Sequence, residues 1–379
     1  MPRPATFVKE KCRSQRFVRP IITLVNGREA ESAGIDGRDL LEVSAHGLAC
    51  PDASFTVDPW KPVPRAVITH AHADHACTGC GEYICTPATA DLLRVRIGES
   101  IKICELPFGT TRRFGEVDVS LHPAGHVLGS AQVRLQHCRG GPVWVVTGDY
   151  KRDDDPTVEP FELVPCDVFI TESTFGLPIF TWPDAATVAS EINAWRRTNH
   201  EQGCTSVILA YSLGKAQRVL NLLDSNLGPV GVHGSIPKIN EVYTARGIAL
   251  HDSIHATEES AADLRTHTIV APPSAAASPW IRRFAGPNGI RTAMISGWMT
   301  IRGRRRWRAL HRGFVISDHA DWPGLLQTVK ETGASRVGAT HGYAAPLARY
   351  LEETLGVASF VLPTRYGDEE RDAAEGDAS

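Results

Sequence analysis

The sequence predicts a mixed α/β fold in which one domain is interrupted by another. Near the start of the chain, short apolar strands each run into a His, Asp or Glu. The middle of the chain instead alternates strands with amphipathic helical segments, which is typical of a parallel-sheet unit. The first pattern then returns near residue 316. We therefore predict a domain formed by residues 1–171 and 317–365, an insert at 172–316, and a disordered acidic tail at 366–379.

Composition sets broad limits on the class of protein. The chain has 379 residues, of which 42% are hydrophobic and 22% charged, as in ordinary globular proteins. No apolar run is long enough for a transmembrane helix, and the basic N-terminus lacks the apolar stretch of a secretory signal. With nine cysteines and no export signal, we expect reduced thiols and a cytoplasmic protein. A net charge of −3 leaves any nucleic-acid binding to local basic patches.

Strands are predicted in the first part of the chain wherever short apolar runs occur. These runs are 40–44, 54–57, 65–69, 83–86, 117–121, 131–135, 143–146 and 168–171. Pro87 is expected to begin a helix that continues over 88–94.

The same reasoning gives further elements in the second half of the chain. We predict strands at 206–210, 230–233, 268–270, 313–316 and 337–339, with helices at 216–223 and 346–354.

The segment after the strand at 65–69 carries the strongest chemical signal. It contains His70, His72, Asp74 and His75, which are three imidazoles and a carboxylate within six residues. Small residues follow at 76–81, so the cluster is expected on a loop at a strand end, where side chains can converge. A set of surface histidines is the alternative, and the density of metal-binding side chains disfavours it. The cluster therefore predicts a site for two metal ions.

Further donors are expected at other strand ends, because two ions that each keep an open position need about seven or eight protein donors. The predicted ligands are His70, His72, Asp74, His75, His126, Asp149 and His341. Asp149 is the natural bridge, since a carboxylate has two oxygens and offsets the charge of two cations. Nitrogen-rich ligation suits zinc, with manganese or iron as alternatives. His122 competes with His126, but its position beside Pro123 favours a structural role.

These motifs resemble the metallo-β-lactamase superfamily, whose signature is His-x-His-x-Asp-His, and more narrowly its β-CASP branch of nucleases. The remaining matches are Asp58 for the first motif, Glu172 for motif A, His319 for motif B and His341 for motif C. The residues around Asp58, His126 and His319 also resemble bacterial ligase-associated DNA exonucleases, which are related to mRNA 3′-end processing factors.

The resemblance implies an αββα sandwich with an inserted α/β β-CASP cap domain. It assigns one ion to His70, His72 and His126 and the other to Asp74, His75 and His341, with Asp149 bridging. Asp58 would orient the histidine loop without touching metal. His319 would protonate the leaving oxygen and Glu172 would orient it, and the alternative for His319 is a packing role at a strand end.

The implied function is a two-metal phosphodiesterase, first of all a DNA exonuclease in DNA repair. Its expected partners are a DNA or RNA substrate, an ATP-dependent DNA ligase and a helicase, with no membrane. An RNA-processing nuclease of the RNase J or 3′-end processing type is an alternative, as is a non-catalytic nucleic-acid-binding subunit. A small-molecule hydrolase is a third option, which the insert disfavours.

Substrate contacts are predicted at two places. Ser212 and Lys215 lie where a strand meets a helix N-terminus, which suits a phosphate but equally an ordinary turn. Arg304 and Arg305 belong to a run of arginines around Trp307, which could follow a phosphate backbone and stack a base. A solvated charged face is the alternative for that run.

Overall fold

The computed structural model describes residues 39–301, 303 and 310–364. The predicted arginine patch, including Arg304 and Arg305, and the predicted acidic tail lie outside the described residues, as does the start of the first domain. The described part is a mixed α/β structure, as predicted, and its strands form three sheets.

The first sheet is built from the beginning of the described chain. Its first two pairings are antiparallel and the others are parallel. In spatial order, its strands are Glu42–Ser44, Gly47–Cys50, Phe55–Val57, Ala66–Val67, Tyr83–Cys85 and Ile103–Glu105.

The second sheet joins strands that are far apart in sequence. The two strands nearest the C-terminus pair in parallel with each other, and this parallel part continues through Val168–Glu172 to Trp144–Val146. The remaining pairings are antiparallel. In spatial order, its strands are Ala358–Val361, Arg336–Thr340, Val168–Glu172, Trp144–Val146, Ala131–His137, Val117–Pro123 and Thr111–Phe114.

The third sheet is entirely parallel. Along the sequence, all of its strands fall between two strands that are neighbours in the second sheet. The chain leaves the second sheet after Glu172 and rejoins it at Arg336. In spatial order, the strands of the third sheet are Ser253–His255, Val230–Val232, Thr268–Ala271, Thr205–Leu209, Ile290–Ile295 and Arg312–Phe314.

Helices flank all three sheets. The α-helices are Pro87–Ile97, Ala185–Glu201, Lys215–Leu222, Pro237–Ala245, Ala261–Leu264, Trp322–Thr332 and Ala344–Leu355. Short 3₁₀ helices occur at Pro51–Ala53, Ser225–Leu227, Pro273–Ala277, Pro279–Phe284 and Gly297–Thr300. None of the helices that the structure describes is long and apolar enough to cross a membrane.

The first two sheets share one hydrophobic core. Val57 and Ile84 of the first sheet are buried in the same cluster as Val119 and Val133 of the second. Alternation along a strand sends neighbouring side chains to opposite faces. The side chains on the outer face of each sheet are also apolar and buried. Helices cover these outer faces, as Trp322–Thr332 does on the second sheet.

The third sheet has separate cores on its two faces. On one face, Ile208 and Val270 pack with Ile192 and Leu220 from two helices. On the other face, Val207, next to Ile208 in the strand, joins a second cluster of buried residues. Burial on both faces explains why these strands are continuous apolar runs in the sequence.

Several elements differ from the sequence-based prediction. Strand 65–69 is reduced to Ala66–Val67, because the backbone N–H of Thr69 donates to the Asp58 carboxylate at 2.8 Å instead of continuing a ladder. The strand Gly47–Cys50 was not predicted, since its small residues carry little β-strand signal. The helix Trp322–Thr332 was also missed, although Asp321 caps it by accepting from Gly324 N–H at 2.9 Å.

Candidate metal centre

The histidine loop begins where the buried strand Ala66–Val67 ends. His70 is fully buried, and the loop turns sharply because the N–H groups of His75 and Ala76 both donate to the carbonyl of His72. Just before this turn, Nε2 of His70 lies 3.0 Å from Nδ1 of His72. The loop therefore concentrates imidazole nitrogens at one point, as the sequence predicted.

Asp58 holds the loop from behind. One carboxylate oxygen accepts from Thr69 N–H at 2.8 Å, and the other lies 2.6 Å from the Thr69 hydroxyl. The second oxygen also lies 2.7 Å from Nδ1 of His75. The contact fixes which nitrogen of His75 faces the centre, and this is the orienting position predicted for Asp58.

His126 enters from the loop that follows the strand Val117–Pro123. Its Nε2 lies 3.2 Å from Nδ1 of His72, so three imidazoles meet at one point. Gly125 has a φ of +75°, and a Cβ there would lie 2.4 Å from the Lys151 carbonyl oxygen, so the turn requires glycine. His122 instead lies within the strand, with Nδ1 2.9 Å from Glu162 and Nε2 3.0 Å from Ser120.

Asp149 occupies the middle of the cluster. Its Oδ2 lies 3.9 Å from His70 Nε2, 3.5 Å from His75 Nε2 and 3.8 Å from His126 Nε2. The turn before it carries Gly148, where a Cβ would lie 2.4 Å from the Thr69 hydroxyl oxygen. The second sheet can therefore approach the histidine loop closely enough to place one carboxylate oxygen among three rings.

The donor atoms fit metal ligation. In a tetrahedral site with bonds of about 2.0–2.2 Å, neighbouring donors lie roughly 3.3–3.5 Å apart. Donor atoms of His70, His72, His126 and Asp149 all lie within 4.8 Å of one another, as do those of His70, Asp74 and His75. Among the described residues, no hydrogen bond of normal geometry reaches the buried Nε2 of His75, although oxygens of Asp149 and Asp74 lie 3.5 and 3.6 Å away. These groups could hold metal.

The electrostatics of the centre also suit a bound cation. Burial, with the neighbouring imidazoles, holds the pKa of His70 and of His126 well below the usual value, which favours the neutral ligand form. For His75, burial lowers the pKa, but the carboxylates of Asp149, Asp74 and Asp58 outweigh it and raise the pKa well above the usual value. Carboxylates that favour a protonated imidazole favour a metal cation in the same place.

His341 lies beside the second group of donors. Its ring centroid is 5.3 Å from that of His75, and its backbone has a φ of +60°. The groups of described donors within 4.8 Å of one another do not include it. Its position agrees with the predicted ligand set, while its role as a ligand stays a prediction.

His319 and Glu172 form a pair at the edge of the centre. Nδ1 of His319 lies 2.8 and 3.0 Å from the two carboxylate oxygens of Glu172. Glu172 ends the strand Val168–Glu172, is 1% exposed, and also accepts from Tyr150 N–H at 2.8 Å. The backbone carbonyl of His319 accepts from the Trp182 indole at 2.9 Å. The imidazole is thus held through Nδ1, and its ring lines the adjoining cavity.

That cavity has a volume of about 400 Å³ and opens beside the histidine cluster. His72, His126 and His319 lie on one side, while Phe175, Tyr211 and Trp298 supply aromatic surface. Arg96 also lines the cavity and was not singled out from the sequence. The third-sheet region therefore covers the predicted metal centre and leaves room for a small organic group.

In the structure, Lys215 forms an ion pair with a carboxylate of the protein. Its ammonium is 2.8 Å from Oδ2 of Asp318, and both residues are only 5% exposed. Ser212 lines the cavity, with its hydroxyl 2.7 Å from that of Ser235. Lys215 also lines the cavity, and its contact with a substrate phosphate stays a prediction.

Two backbone contacts of the centre escaped the sequence analysis. Nε2 of His72 lies 3.2 Å from the carbonyl oxygen of Leu213, and Nδ1 of His126 lies 2.8 Å from that of Asp318. Both acceptors are main-chain atoms, so no residue type marks them in a sequence. They lie opposite the ring nitrogens that face the cluster, which is where an imidazole ligand needs an orienting acceptor.

Several known proteins are similar to this chain in sequence. No family model matches the chain. A probable DNA ligase from Opitutus terrae is 35% identical over 82% of this chain, and the match covers 30% of that protein. An RNase J-like protein from Methanocaldococcus jannaschii is 25% identical over 48% of this chain and 50% of its own length. The chain thus spans half or less of each of these two relatives.

A solved structure supports the fold alone. A protein of unknown function from Enterococcus faecalis V583 superposes over 80% of both chains with a TM-score of 0.50 and 12% sequence identity.

Taken with the motifs, the relatives confirm the predicted family. The chain belongs to the β-CASP branch of the metallo-β-lactamase superfamily. Within that branch, the match to a probable DNA ligase agrees with the resemblance to ligase-associated proteins.

Proposed function

We propose that this protein is a metal-dependent phosphodiesterase that hydrolyses nucleic acid, with a DNA exonuclease acting in repair as the first candidate. One observation carries the proposal: a single oxygen of Asp149 lies 3.5–3.9 Å from three imidazole nitrogens, beside the pair formed by His319 and the buried Glu172. This arrangement combines donors for two ions with a separate, oriented proton donor.

The proposal includes the finer architecture of the fold. Two sheets with a shared core and helices on their outer faces support an αββα sandwich. The third sheet, which follows Glu172 in sequence, would be the β-CASP cap. We keep 172–316 as the bounds of this insert and assign 1–171 and 317–365 to the sandwich.

The ligands divide into two sets around Asp149. We assign one ion to His70, His72 and His126, whose donor atoms form one close group with Asp149. We assign the second ion to Asp74, His75 and His341. Zinc suits these donors best, with manganese as the alternative. Bound ions would supply a nucleophilic water of lowered pKa and offset charge on the phosphate.

The residues of the chain supply proton transfer and orientation. Glu172 holds Nδ1 of His319, so Nε2 is the nitrogen that we assign to protonation of the leaving oxygen. Tyr150 N–H fixes the Glu172 carboxylate in turn. Asp58 keeps His75 turned towards the centre through its 2.8 Å and 2.7 Å contacts with Thr69 and His75.

The cavity supports a nucleotide as the group that binds beside the centre. Its aromatic residues Phe175, Tyr211 and Trp298 can contact a base, and base–aromatic stacking tolerates any sequence. Arg96 is the cationic residue that we assign to a substrate phosphate, because guanidinium stays charged at all relevant pH values. Arg304 and Arg305 remain predicted contacts to the phosphate backbone.

We propose DNA rather than RNA as the substrate, because the match to a probable DNA ligase covers more of this chain than the match to the RNase J-like protein. That match also supports a DNA ligase as a partner, while its ATP dependence and a helicase partner stay predictions from the family resemblance. We place the reaction in a reducing cytoplasm, because the spacing of the nine cysteines does not suggest a disulfide framework.

RNA processing is the second candidate, because an RNase J-like protein is also a relative. Purified protein with Mn²⁺ or Zn²⁺ should be given end-labelled single- and double-stranded DNA and RNA with 5′-phosphate or 5′-hydroxyl ends. The proposal predicts stepwise shortening of DNA. Faster degradation of RNA would favour the second candidate, and no cleavage of any substrate by metal-loaded protein would refute both.

A further inference from the structure

The strongest unexplained feature beside the centre is a buried network of five charged side chains. Lys151 and Arg218 contact Asp155 at 2.6 and 3.1 Å, and Arg218 and Lys215 contact Asp318 at 3.2 and 2.8 Å. All five residues are at most 8% exposed. Removing charges from water costs several kcal/mol per ion, so such a network is weak evidence for stability alone.

The part of the network nearest the centre joins two chain segments. Lys215 follows Leu213 by two residues, and Asp318 belongs to the segment that leads to His319. The Lys215 ammonium also donates to the Ile316 carbonyl at 3.3 Å, so it contacts the second segment twice.

Each of these segments presents a backbone carbonyl to a different predicted ligand. The Leu213 carbonyl faces Nε2 of His72 at 3.2 Å. The Asp318 carbonyl faces Nδ1 of His126 at 2.8 Å. The Lys215–Asp318 ion pair therefore helps to fix the spacing of both acceptors, together with Arg218, which contacts Asp318 and the Ser317 carbonyl.

We infer that Lys215 and Asp318 are positioning residues, whose ion pair clamps the two carbonyls that orient His72 and His126 for metal binding. The inference rests on the proposed metal centre. A neutral imidazole has one N–H and one lone pair, so an acceptor opposite one nitrogen directs the lone pair of the other into the cluster. The same ion pair connects the third-sheet region to the metal centre, although neither Lys215 nor Asp318 is a proposed metal ligand.

The test measures metal affinity, which needs no substrate. Zn²⁺ dissociation constants should be determined by competition with a chromophoric chelator for Lys215→Met, Asp318→Asn and the double variant. The double variant avoids leaving a buried charge unpaired, so it is expected to fold even if a single variant does not. Thermal unfolding of each metal-free protein gives an independent measure of stability.

Asp155→Asn is the matched control. It makes the same chemical change in the same buried network, but Asp155 contacts Lys151 and Arg218 and neither clamp segment. We expect it to lower the melting temperature while leaving both Zn²⁺ dissociation constants within about threefold of wild type.

In the clamp variants, one Zn²⁺ dissociation constant should rise by about 10–100-fold, as for other residues that orient metal ligands. The Zn²⁺ dissociation constant of the double variant should not exceed that of the single variant that binds Zn²⁺ less tightly, because both substitutions break the same ion pair. Wild-type affinity in the double variant, multiplicative effects of the single variants, or an equal loss in Asp155→Asn would overturn the inference. Wild-type protein that binds ions but cleaves no nucleic acid would refute the proposed function and leave this test intact, whereas wild-type protein that binds no ion would contradict both.

Discussion

The strand ends of the first two sheets and the third-sheet region serve the candidate site by different means. The strand ends contribute side chains, such as His70 and Asp149, whose identity alone indicates metal chemistry. The third-sheet region contributes the Leu213 carbonyl, the Lys215 ammonium and the wall of a cavity. The comparison shows that donors are encoded by residue type, whereas their orientation is encoded by packing.

Loss of a central donor should have the largest effect. His72→Ala or Asp149→Asn should abolish hydrolysis, a loss of at least about 10³-fold, because bound metal otherwise lowers the pKa of water from about 15.7 towards 7. Steady-state turnover on labelled DNA provides the measurement. His122→Ala is the control, since this histidine pairs with Glu162 and Ser120 and should keep nearly full turnover. Equal damage in His122→Ala and His72→Ala would remove the distinction between ligand and structural histidines.

The proton donor should have the next largest effect. His319→Ala should retain both ions and lose about 10²–10⁴-fold in turnover, the usual contribution of positioned proton transfer. The defect should shrink on a nitrophenyl phosphodiester, because its leaving group departs without a proton. Glu172→Gln should show a milder form of the same pattern, since it keeps the imidazole but weakens its contact. A defect of equal size on both substrates would argue against His319 as the acid.

His341 provides a direct contrast with His319. His341→Ala should lose one of the two ions, because we assign it to the ion held by Asp74 and His75. Elemental analysis of reconstituted variants distinguishes the two histidines. Donor atoms of His319, Glu172 and Asp149 also lie within 4.8 Å of one another, so loss of an ion in His319→Ala instead would make His319 a ligand.

The smallest effect is expected from the arginine patch. Replacing Arg304, Arg305 and Arg306 together with Ala should leave turnover at saturating DNA unchanged but reduce the slope of log affinity against log salt by about one per lost phosphate contact. Binding titrations from low to moderate salt measure this slope. An unchanged slope would assign these arginines to a solvated surface.

The sequence predicted the donors because their chemistry depends on side-chain type and on position after an apolar strand. His70, His126 and Asp149 converge because the two sheets share one core and the strands before these residues end close together. Asp58 also contacts Thr69 and His75 of the histidine loop, and its orienting role stays a prediction.

The rest could not be predicted for physical reasons. The Leu213 and Asp318 carbonyls are present in every sequence, so nothing marks them as acceptors. The ion pair between Lys215 and Asp318 joins residues about a hundred positions apart, so only folding reveals it. Helix Trp322–Thr332 is hard to predict because its first turn contains Pro323 and Gly324, a dipeptide typical of turns, and only the Asp321 cap marks its start.

The most direct test of the central claim is the number of metal ions bound by wild-type protein. Metal-free protein should be reconstituted with Zn²⁺ or Mn²⁺, freed of excess metal, and examined by elemental analysis against protein concentration. Two sets of donors that share Asp149 predict about two equivalents per chain. A content below about one equivalent of any transition metal after reconstitution would contradict the two-metal site and the mechanism built on it.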